Sequence, residues 1–366
     1  MKKIQILGTR GIPAQHGGFE TFAEHFSIYL KNKGWEVTVY CQEEGNGPIY
    51  EDDWQGIHRI HIPVTQKGAK GTIVFDWLST LHAAKRKIPV LTLGYNTAVF
   101  CFLYRLKGLK NIINMDGIEW RREKWTFVER TWLYINEKLG SWLGNHLIAD
   151  HPEIKNHLTQ FVSADKITVI PYSADLLNSA DIEQLDLFGL NPEEYAILIA
   201  RPEPENSILE IVRAYSSQKR GMPLVVLGNY DPDSNNYQKT VLGAAGDEIM
   251  FVGAIYDQPK VQALRFFTRF YIHGHTVGGT NPSLVEALGG GSPVLAHDNK
   301  FNRWVAGKGS FYFLTEAECA TRITQLVEND EKIKAMKAAS RKQYTQNFTA
   351  DKIHRAYEQL LKEHGF

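Results

Sequence analysis

The chain has 366 residues, enough for about two domains with proper cores and far too many for a small stapled module. Its 41 Lys and Arg balance 41 Asp and Glu, which excludes a globally basic nucleic-acid binder and an acidic solvating chain. Hydrophobic residues at 43% and charged residues at 22% exclude the disordered and collagen-like classes.

Short β-branched runs alternate along the chain with longer amphipathic segments, the pattern of βα units around parallel sheets. The first half predicts strands near Ile4–Leu7, Val37–Tyr40, Ile57–Ile62, Val90–Leu93, Ile112–Met115, Leu147–Ala149 and Ile167–Ile170. Their unbroken apolar character suits a sheet covered on both faces. After the first strand comes a glycine-rich loop, GTRGIPAQHGGFE, ahead of a helix predicted over 19–33. It lacks the GxGxxG spacing, so a nicotinamide dinucleotide site has weak support. Thirteen residues is nevertheless long for a βα connection, and long loops at strand C-termini often carry function.

Pro171 and the polar stretch YSADLLNSADIEQLD mark the domain boundary. A second series of strands follows, near Tyr195–Ala200, Leu224–Leu227, Ile249–Val252, Phe270–His273, Pro293–Ala296 and Phe311–Leu314. The tail from Glu318 to His364 is helix-compatible apart from Asn347-Phe348-Thr349, where Thr349 can cap a last helix. The fold class is therefore α/β, with two similar α/β domains in tandem. Two such sheets would face a shared cleft with the loops at their strand C-termini.

Cys41, Cys101 and Cys319 form neither a CxxC pair nor a disulfide framework, which fits a reducing cytoplasm. The N-terminus reads as a first strand, since Gly, Arg and Pro arrive too early for a signal-peptide core. Asp231-Pro232-Asp233 has carboxylate spacing for a metal, but DPDSNNY reads more simply as a turn. His146, His151 and His157 read as scattered surface histidines with no third ligand, and no metal site is expected.

The most informative segment is HGHTVGGTNPSLVEALGGG, which begins at His273 where a strand ends. Gly278 and Gly279 allow close backbone approach, Asn281 is a good N-cap, Pro282 suits the first helical position, and Gly289–Gly291 ends the helix. Free amides from Thr280 to Leu284 would then face a phosphate, with Glu286 one turn along to accept from sugar hydroxyls. An ordinary capped helix with a glycine-rich approach satisfies the same pattern.

ILGTRGIPAQHGGFETFAE, NMDGIEWRREKW, VIPYSAD and GHTVGGTNPSLVEALGGGSPVLAHDN, spread over nearly the whole chain, together resemble the retaining glycosyltransferases of family 4. The likeness is narrower to the bacterial rhamnosyltransferase branch of capsule and cell-wall polysaccharide synthesis. It implies the glycosyltransferase-B fold of two Rossmann-like domains, an N-terminal acceptor domain at 1–175 and a C-terminal sugar-nucleotide domain at 190–348, with a helix at 350–366 returning to the first. It also implies a donor set of Arg201, His275, Gly279, Thr280, Asn281, Ser283, Leu284 and Glu286, with Glu286 on the nucleotide ribose. Gly17, Gly18 and Glu20 would meet the donor phosphates or the acceptor, and Asp116 and Arg201 would be catalytic. A carboxylate at 116 can accept a hydroxyl proton or hold that hydroxyl in line. Two positions depart from the family pattern: Asn206 stands for a lysine five residues after the arginine, and Gly278 for a glutamate eight before Glu286.

The resemblance implies transfer of L-rhamnose from thymidine-diphosphate-rhamnose to a lipid-diphosphate-linked saccharide, with no metal or other cofactor. The alternatives are a sugar-nucleotide-binding protein without transferase activity, or a family 4 enzyme using glucose, galactose or mannose. Residues 1–172 carry 21 Lys/Arg against 17 Asp/Glu, so the neutral total hides a positive first half. Trp120, Arg121, Arg122, Lys124 and Trp125 suggest either an acceptor or membrane face or a partly buried aromatic segment. The expected location is the cytoplasm, at the inner face of the cell membrane if that face is used.

Overall fold

The computed structural model describes residues 2–15, 17–122 and 124–366, so His16 and Glu123 of the motifs above lie outside the described residues. The chain divides into two compact units, residues 1–171 with 353–366, and residues 172–352. The first unit runs β1 (Lys3–Leu7), α1 (Gly18–Asn32), β2 (Glu36–Glu44), β3 (Tyr50–Trp54), β4 (Ile57–Val64), α2 (Gly68–Arg86), β5 (Val90–Leu93), α3 (Phe102–Leu106), β6 (Asn111–Asn114), α4 (Phe127–Leu143), β7 (His146–Ala149), α5 (Pro152–Leu158) and β8 (Ile167–Val169). Its sheet has the order β3-β4-β2-β1-β5-β6-β7-β8. Ile4, Ile6, Val37, Val39, Leu91, Ile112 and Ile148 are buried in one core, as strands covered on both faces require.

One strand escapes the apolar pattern. β3, with sequence YEDDW, pairs antiparallel with β4 through a hairpin whose central residues Gln55 and Gly56 have φ of 53° and 78°, the signs of a type I′ turn. No strand is predicted there, yet its acids suit a sheet edge, where charge discourages pairing with other chains. Asp52 accepts from Arg59 Nε at 2.8 Å and Nη2 at 2.5 Å, and bonds His61 Nε2 at 3.0 Å. Arg59 also donates to the Ile12 carbonyl at 2.9 Å, tying this hairpin to the β1–α1 loop.

The bonds from Arg59, and secondarily His61, hold the Asp52 carboxyl down at about 2. A depressed carboxylate contributes stability above its unfolded value near 4 and loses it as pH falls through the folded value. The melting temperature of the wild type should therefore drop more steeply between pH 4 and pH 2 than that of Asp52→Asn. Parallel thermal melts over that window check this, and identical slopes would remove Asp52 from the acid response.

The second unit runs β9 (Ala196–Ile199), α6 (Ile208–Ser216), β10 (Leu224–Leu227), α7 (Asn236–Gly243), β11 (Ile249–Gly253), α8 (Gln258–Phe266), β12 (Phe270–His273), α9 (Pro282–Gly290), β13 (Val294–His297), α10 (Lys300–Ala306), β14 (Phe311–Phe313), α11 (Glu316–Glu328) and α12 (Asp330–Asn347). All strands are parallel in the order β11-β10-β9-β12-β13-β14, the doubly wound Rossmann order. The polar stretch after Pro171, read from sequence as the boundary, belongs to this unit: Ala174 and Leu185 enter its core, and Ala174 pairs with Thr349. Two apolar residues in the right places outweigh the polar composition of that segment.

α13 (Ala350–Glu363) follows, with Lys352 as the last residue of the second unit. Its Ile353, Tyr357, Leu360 and Leu361 are buried in the first unit's core beside Phe22 and Phe26. Glu358 accepts from Tyr29 Oη at 3.0 Å and Trp35 Nε1 at 3.3 Å.

Candidate functional site

In an open doubly wound sheet, ligands bind beyond the strand C-termini where the strand order reverses. In the second unit that point lies between β9 and β12, so the loops concerned are 200–207 and 274–281. They are laced together: Thr276 donates its amide and its hydroxyl to the Glu205 carbonyl, both at 2.9 Å. Gly274 makes the approach possible, because a Cβ there would sit 2.0 Å from the Asn206 carbonyl oxygen. Asn206 is buried and donates Nδ2 to the Arg201 carbonyl at 2.8 Å, so this residue shapes the loop from which Arg201 projects. Arg201 itself is exposed, and its guanidinium makes no ion pair with any described residue.

The helix signals of the second loop act as the sequence suggests, with one correction. Asn281 caps α9, Pro282 holds the first helical position, and Gly291 closes the helix in a left-handed conformation with φ of 74°. Gly289 and Gly290 are still helical, so the helix ends only at Gly291. The expected free amides at Ser283 and Leu284 are not free: Ser283 donates to Asn281 Oδ1 at 3.0 Å and Leu284 to the Asn281 carbonyl at 3.1 Å. The cap consumes two of the donors that were assigned to a phosphate, and the Leu284 side chain is buried in the core. The helix still presents the positive end of its dipole there.

Glu286 pairs with Arg265 of α8, and Arg265 also donates to Ser283 Oγ at 3.3 Å. Arg265 was not legible as a site residue, since it lies 21 positions upstream with no local motif. Ser283 Oγ in turn lies 3.0 Å from Tyr271 Oη, whose other neighbour is His273 Nδ1 at 3.0 Å. Burial, then the neighbouring His275 and His297, push His273 well below the usual histidine range, so it stands neutral. The His275 ring stacks on His273 at 4.3 Å, and its carbonyl accepts from Asn299 and Asn302 at 2.9 Å each. Thr280 is buried, Gly279 half-buried and Gly278 exposed. Gly278 adopts φ of 129°, a conformation side chains avoid.

In the first unit the order reverses between β1 and β5. Gly8 serves this point as Gly274 serves the other: a Cβ on it would meet the Leu93 carbonyl oxygen at 2.1 Å. The β1–α1 loop closes onto α1, with Glu20 accepting from the Arg10 amide at 3.2 Å and Glu24 from the Ala14 amide at 2.6 Å. Gly17 has φ of 58° and Gly18 begins α1. A cavity of about 460 Å³ opens beside this loop, lined by Arg10, Glu20, Glu43, Arg59, His61 and Lys67 among others. Glu43, Arg59 and His61 come from β2 and β4 and carry no sequence signal beyond alternation.

Asp116 follows β6 with φ of 51°, strained for a residue with a side chain, and such outliers mark positions fixed by their surroundings. Its amide donates to Asn114 Oδ1 at 2.9 Å, while Asn114 Nδ2 donates to Tyr357 Oη of α13 at 2.7 Å. The face read from the NMDGIEWRREKW segment is largely turned inward. Trp120 is half-buried and donates to Glu137 at 2.9 Å, Trp125 Nε1 is buried, and Arg122 pairs with Glu119. Arg121 and Lys124 are exposed, lying over the Trp120 and Trp125 rings.

The histidines read as surface residues are buried instead: His146 faces Thr168 Oγ1 at 2.8 Å, His151 caps α5, and His157 bonds Glu137 at 3.0 Å. Asp231 accepts from the Ser234 hydroxyl and amide, a turn. No cluster of three metal-binding side chains occurs among the described residues, and Cys41, Cys101 and Cys319 are free and buried.

Residues 1–175 match a family described as a domain of unknown function, DUF1972. No curated protein matches the chain. Among solved structures it is similar to sucrose-phosphate synthase from Thermosynechococcus elongatus, with a TM-score of 0.82, 15% identity and 99% of each chain covered. It is similar to Anabaena HepE in complex with UDP and glucose, with a TM-score of 0.77 and 16% identity over 99% of this chain and 100% of that one. A UDP-forming trehalose-phosphate synthase from Burkholderia vietnamiensis gives a TM-score of 0.73 at 10% identity, over 99% and 100% of the two chains. These likenesses span both units, and with the two Rossmann-like sheets they identify the architecture as the glycosyltransferase-B fold.

Proposed function

We propose that this chain is a retaining glycosyltransferase that moves a hexose, L-rhamnose, from a thymidine-diphosphate donor to a hydroxyl of a lipid-diphosphate-linked sugar in surface polysaccharide synthesis. The observation that carries the reading is the second unit's switch point, where Arg201, in no ion pair among the described residues, shares laced loops with the N-terminus of α9. That pairing of a cation and a helix dipole suits a diphosphate leaving group. Glu286, held by Arg265, retains acceptor capacity for the ribose hydroxyls.

In the proposed step the bond from the anomeric carbon to the diphosphate oxygen breaks and the acceptor oxygen bonds the same face. The acceptor proton passes to the departing phosphate oxygen, and Asp116 orients that acceptor hydroxyl. Negative charge grows on the diphosphate as the sugar becomes oxocarbenium-like, which is where the Arg201 charge has most effect. The rhamnosyl and lipid-linked assignments rest on the motif resemblance.

Nucleotide release, measured over a panel of activated sugars with lipid-diphosphate glucose and N-acetylglucosamine as acceptors, tests the reading. The expected result is release from thymidine-diphosphate-rhamnose well above that from the uridine-diphosphate hexoses. Turnover only with another donor would overturn the rhamnose assignment. Donor binding by calorimetry with no turnover on any acceptor would favour a sugar-nucleotide-binding protein, which the replacement of the family's lysine by Asn206 makes the relevant rival.

A further inference from the structure

Helix α4 is amphipathic the wrong way round for a core helix. Its buried residues are Leu133, Asn136, Glu137, Gly140 and Ser141, mostly small or polar, and each polar group is satisfied internally. Asn136 Oδ1 accepts from the Val99 amide at 2.9 Å, Glu137 bonds Trp120 and His157, and the Ser141 hydroxyl donates to the Glu137 carbonyl at 2.8 Å. The opposite side shows Phe127 84% exposed, Val128 74%, Ile135 48% and Trp142 54%. At about 100° per residue these four share an arc of about 100°, which also holds Thr131 and Lys138.

The patch continues onto α3, whose Leu106 is 74% exposed and whose Arg105 donates to the Trp142 carbonyl at 3.2 Å. Arg105, Lys107 and Lys124 edge it, and Lys138 stands within the arc, lying over the Tyr134 ring at 4.4 Å. Among the described residues of 102–107 and 124–142, the one exposed acid is Glu129, already engaged in the capping box of α4. Scattered exposed apolar residues mean little, but a contiguous stripe rimmed by one sign of charge marks an interaction face.

We infer that α4 and α3 form a docking face for an anionic lipid surface, with Phe127, Val128, Ile135, Trp142 and Leu106 entering the headgroup–acyl boundary. The charge pattern decides between occupants. A second copy docking by this same face would set the basic rims against each other, whereas an anionic bilayer neutralises them. Large, solvent-facing apolar residues with flanking Lys and Arg have the composition of an interfacial helix lying in the membrane plane. No described helix is long and apolar enough to cross a membrane.

Co-sedimentation of the full chain with vesicles of equal parts phosphatidylglycerol and phosphatidylcholine, against phosphatidylcholine alone, tests the face without nucleotide or sugar, so its outcome is separate from that of the transfer reading. The expected result is binding to the anionic vesicles that weakens at raised salt and falls more than about tenfold in a Val128→Ser, Ile135→Ser, Trp142→Ser variant. These positions are exposed, so an unchanged circular-dichroism melt is expected for that variant. Lys107→Glu with Lys124→Glu should remove the preference for anionic vesicles while leaving the apolar stripe. Failure of the wild type to bind either vesicle, or unaltered binding by the triple variant, would overturn the inference. So would a wild-type dimer in sedimentation equilibrium that the triple variant abolishes.

Discussion

Arg201→Ala is expected to lower kcat/KM for sugar transfer by about 10²- to 10³-fold, with an unchanged melting temperature. The two halves of that expectation have separate causes. Arg201 is exposed and unpaired among the described residues, so its removal leaves no buried partner unsatisfied and opens no cavity. Its charge stands instead where negative charge would develop during departure of the diphosphate, and loss of one such aligned donor costs about 3–4 kcal/mol of barrier. Arg201→Lys should recover part of the rate, since the charge returns without the bidentate fork. Steady-state kinetics with a melting curve on the same samples separates the possibilities: near-normal transfer by the alanine variant would remove Arg201 from the mechanism.

Gly274→Ala should have the largest effect on stability, about 3 kcal/mol, seen as a lowered midpoint in urea unfolding. A Cβ at that position would lie 2.0 Å from the Asn206 carbonyl oxygen and 2.7 Å from Ile211 Cδ1. The Ile211 methyl can rotate away, but the carbonyl belongs to backbone already fixed by the Asn206 bond to Arg201 and the Thr276 bonds to Glu205. Relief must therefore come from separating the two loops, which would weaken donor binding along with the fold. Gly243→Ala provides the contrast, because nothing lies within 4 Å of a Cβ there and the residue is helical. It should be neutral or mildly stabilising through helix propensity. Equal midpoints for the two alanine variants would show that the close approach at Gly274 relaxes at no cost.

The parallel strands were legible because both their faces are buried, leaving runs such as Ala196–Ile199 and Leu224–Leu227 without polar interruption. β3 was not, because an edge strand answers to solvent and to pairing across a hairpin. Asn281, Pro282 and Gly291 announced α9 by chemistry that acts within a few residues. How the cap distributes the amides of Ser283 and Leu284 depends on rotamer and dihedral angles, so the sequence overstated the free donors. Arg265 beside Glu286, and the cavity side chains Glu43, Arg59 and His61, come together only through sheet order, which no local pattern records. The tryptophans at 120 and 125 were a fair reading of composition. Which side of α4 faces water depended on Asn136 and Glu137 finding buried partners, an arrangement invisible to periodicity.

The return of α13 into the first unit sets an order of maturation. Residues 1–171 leave the ribosome first, yet their core lacks Ile353, Tyr357, Leu360 and Leu361 until 172–352 have been made. The second unit has all its own strands and helices by then, so it can fold while its predecessor waits with Phe22 and Phe26 incompletely covered. The first unit's core therefore closes only at the end of synthesis, although its residues are made first. The same closure makes Asn114, and through it the backbone at Asp116, answer to Tyr357, so the proposed acceptor group reaches its fixed geometry only after the last helix has docked.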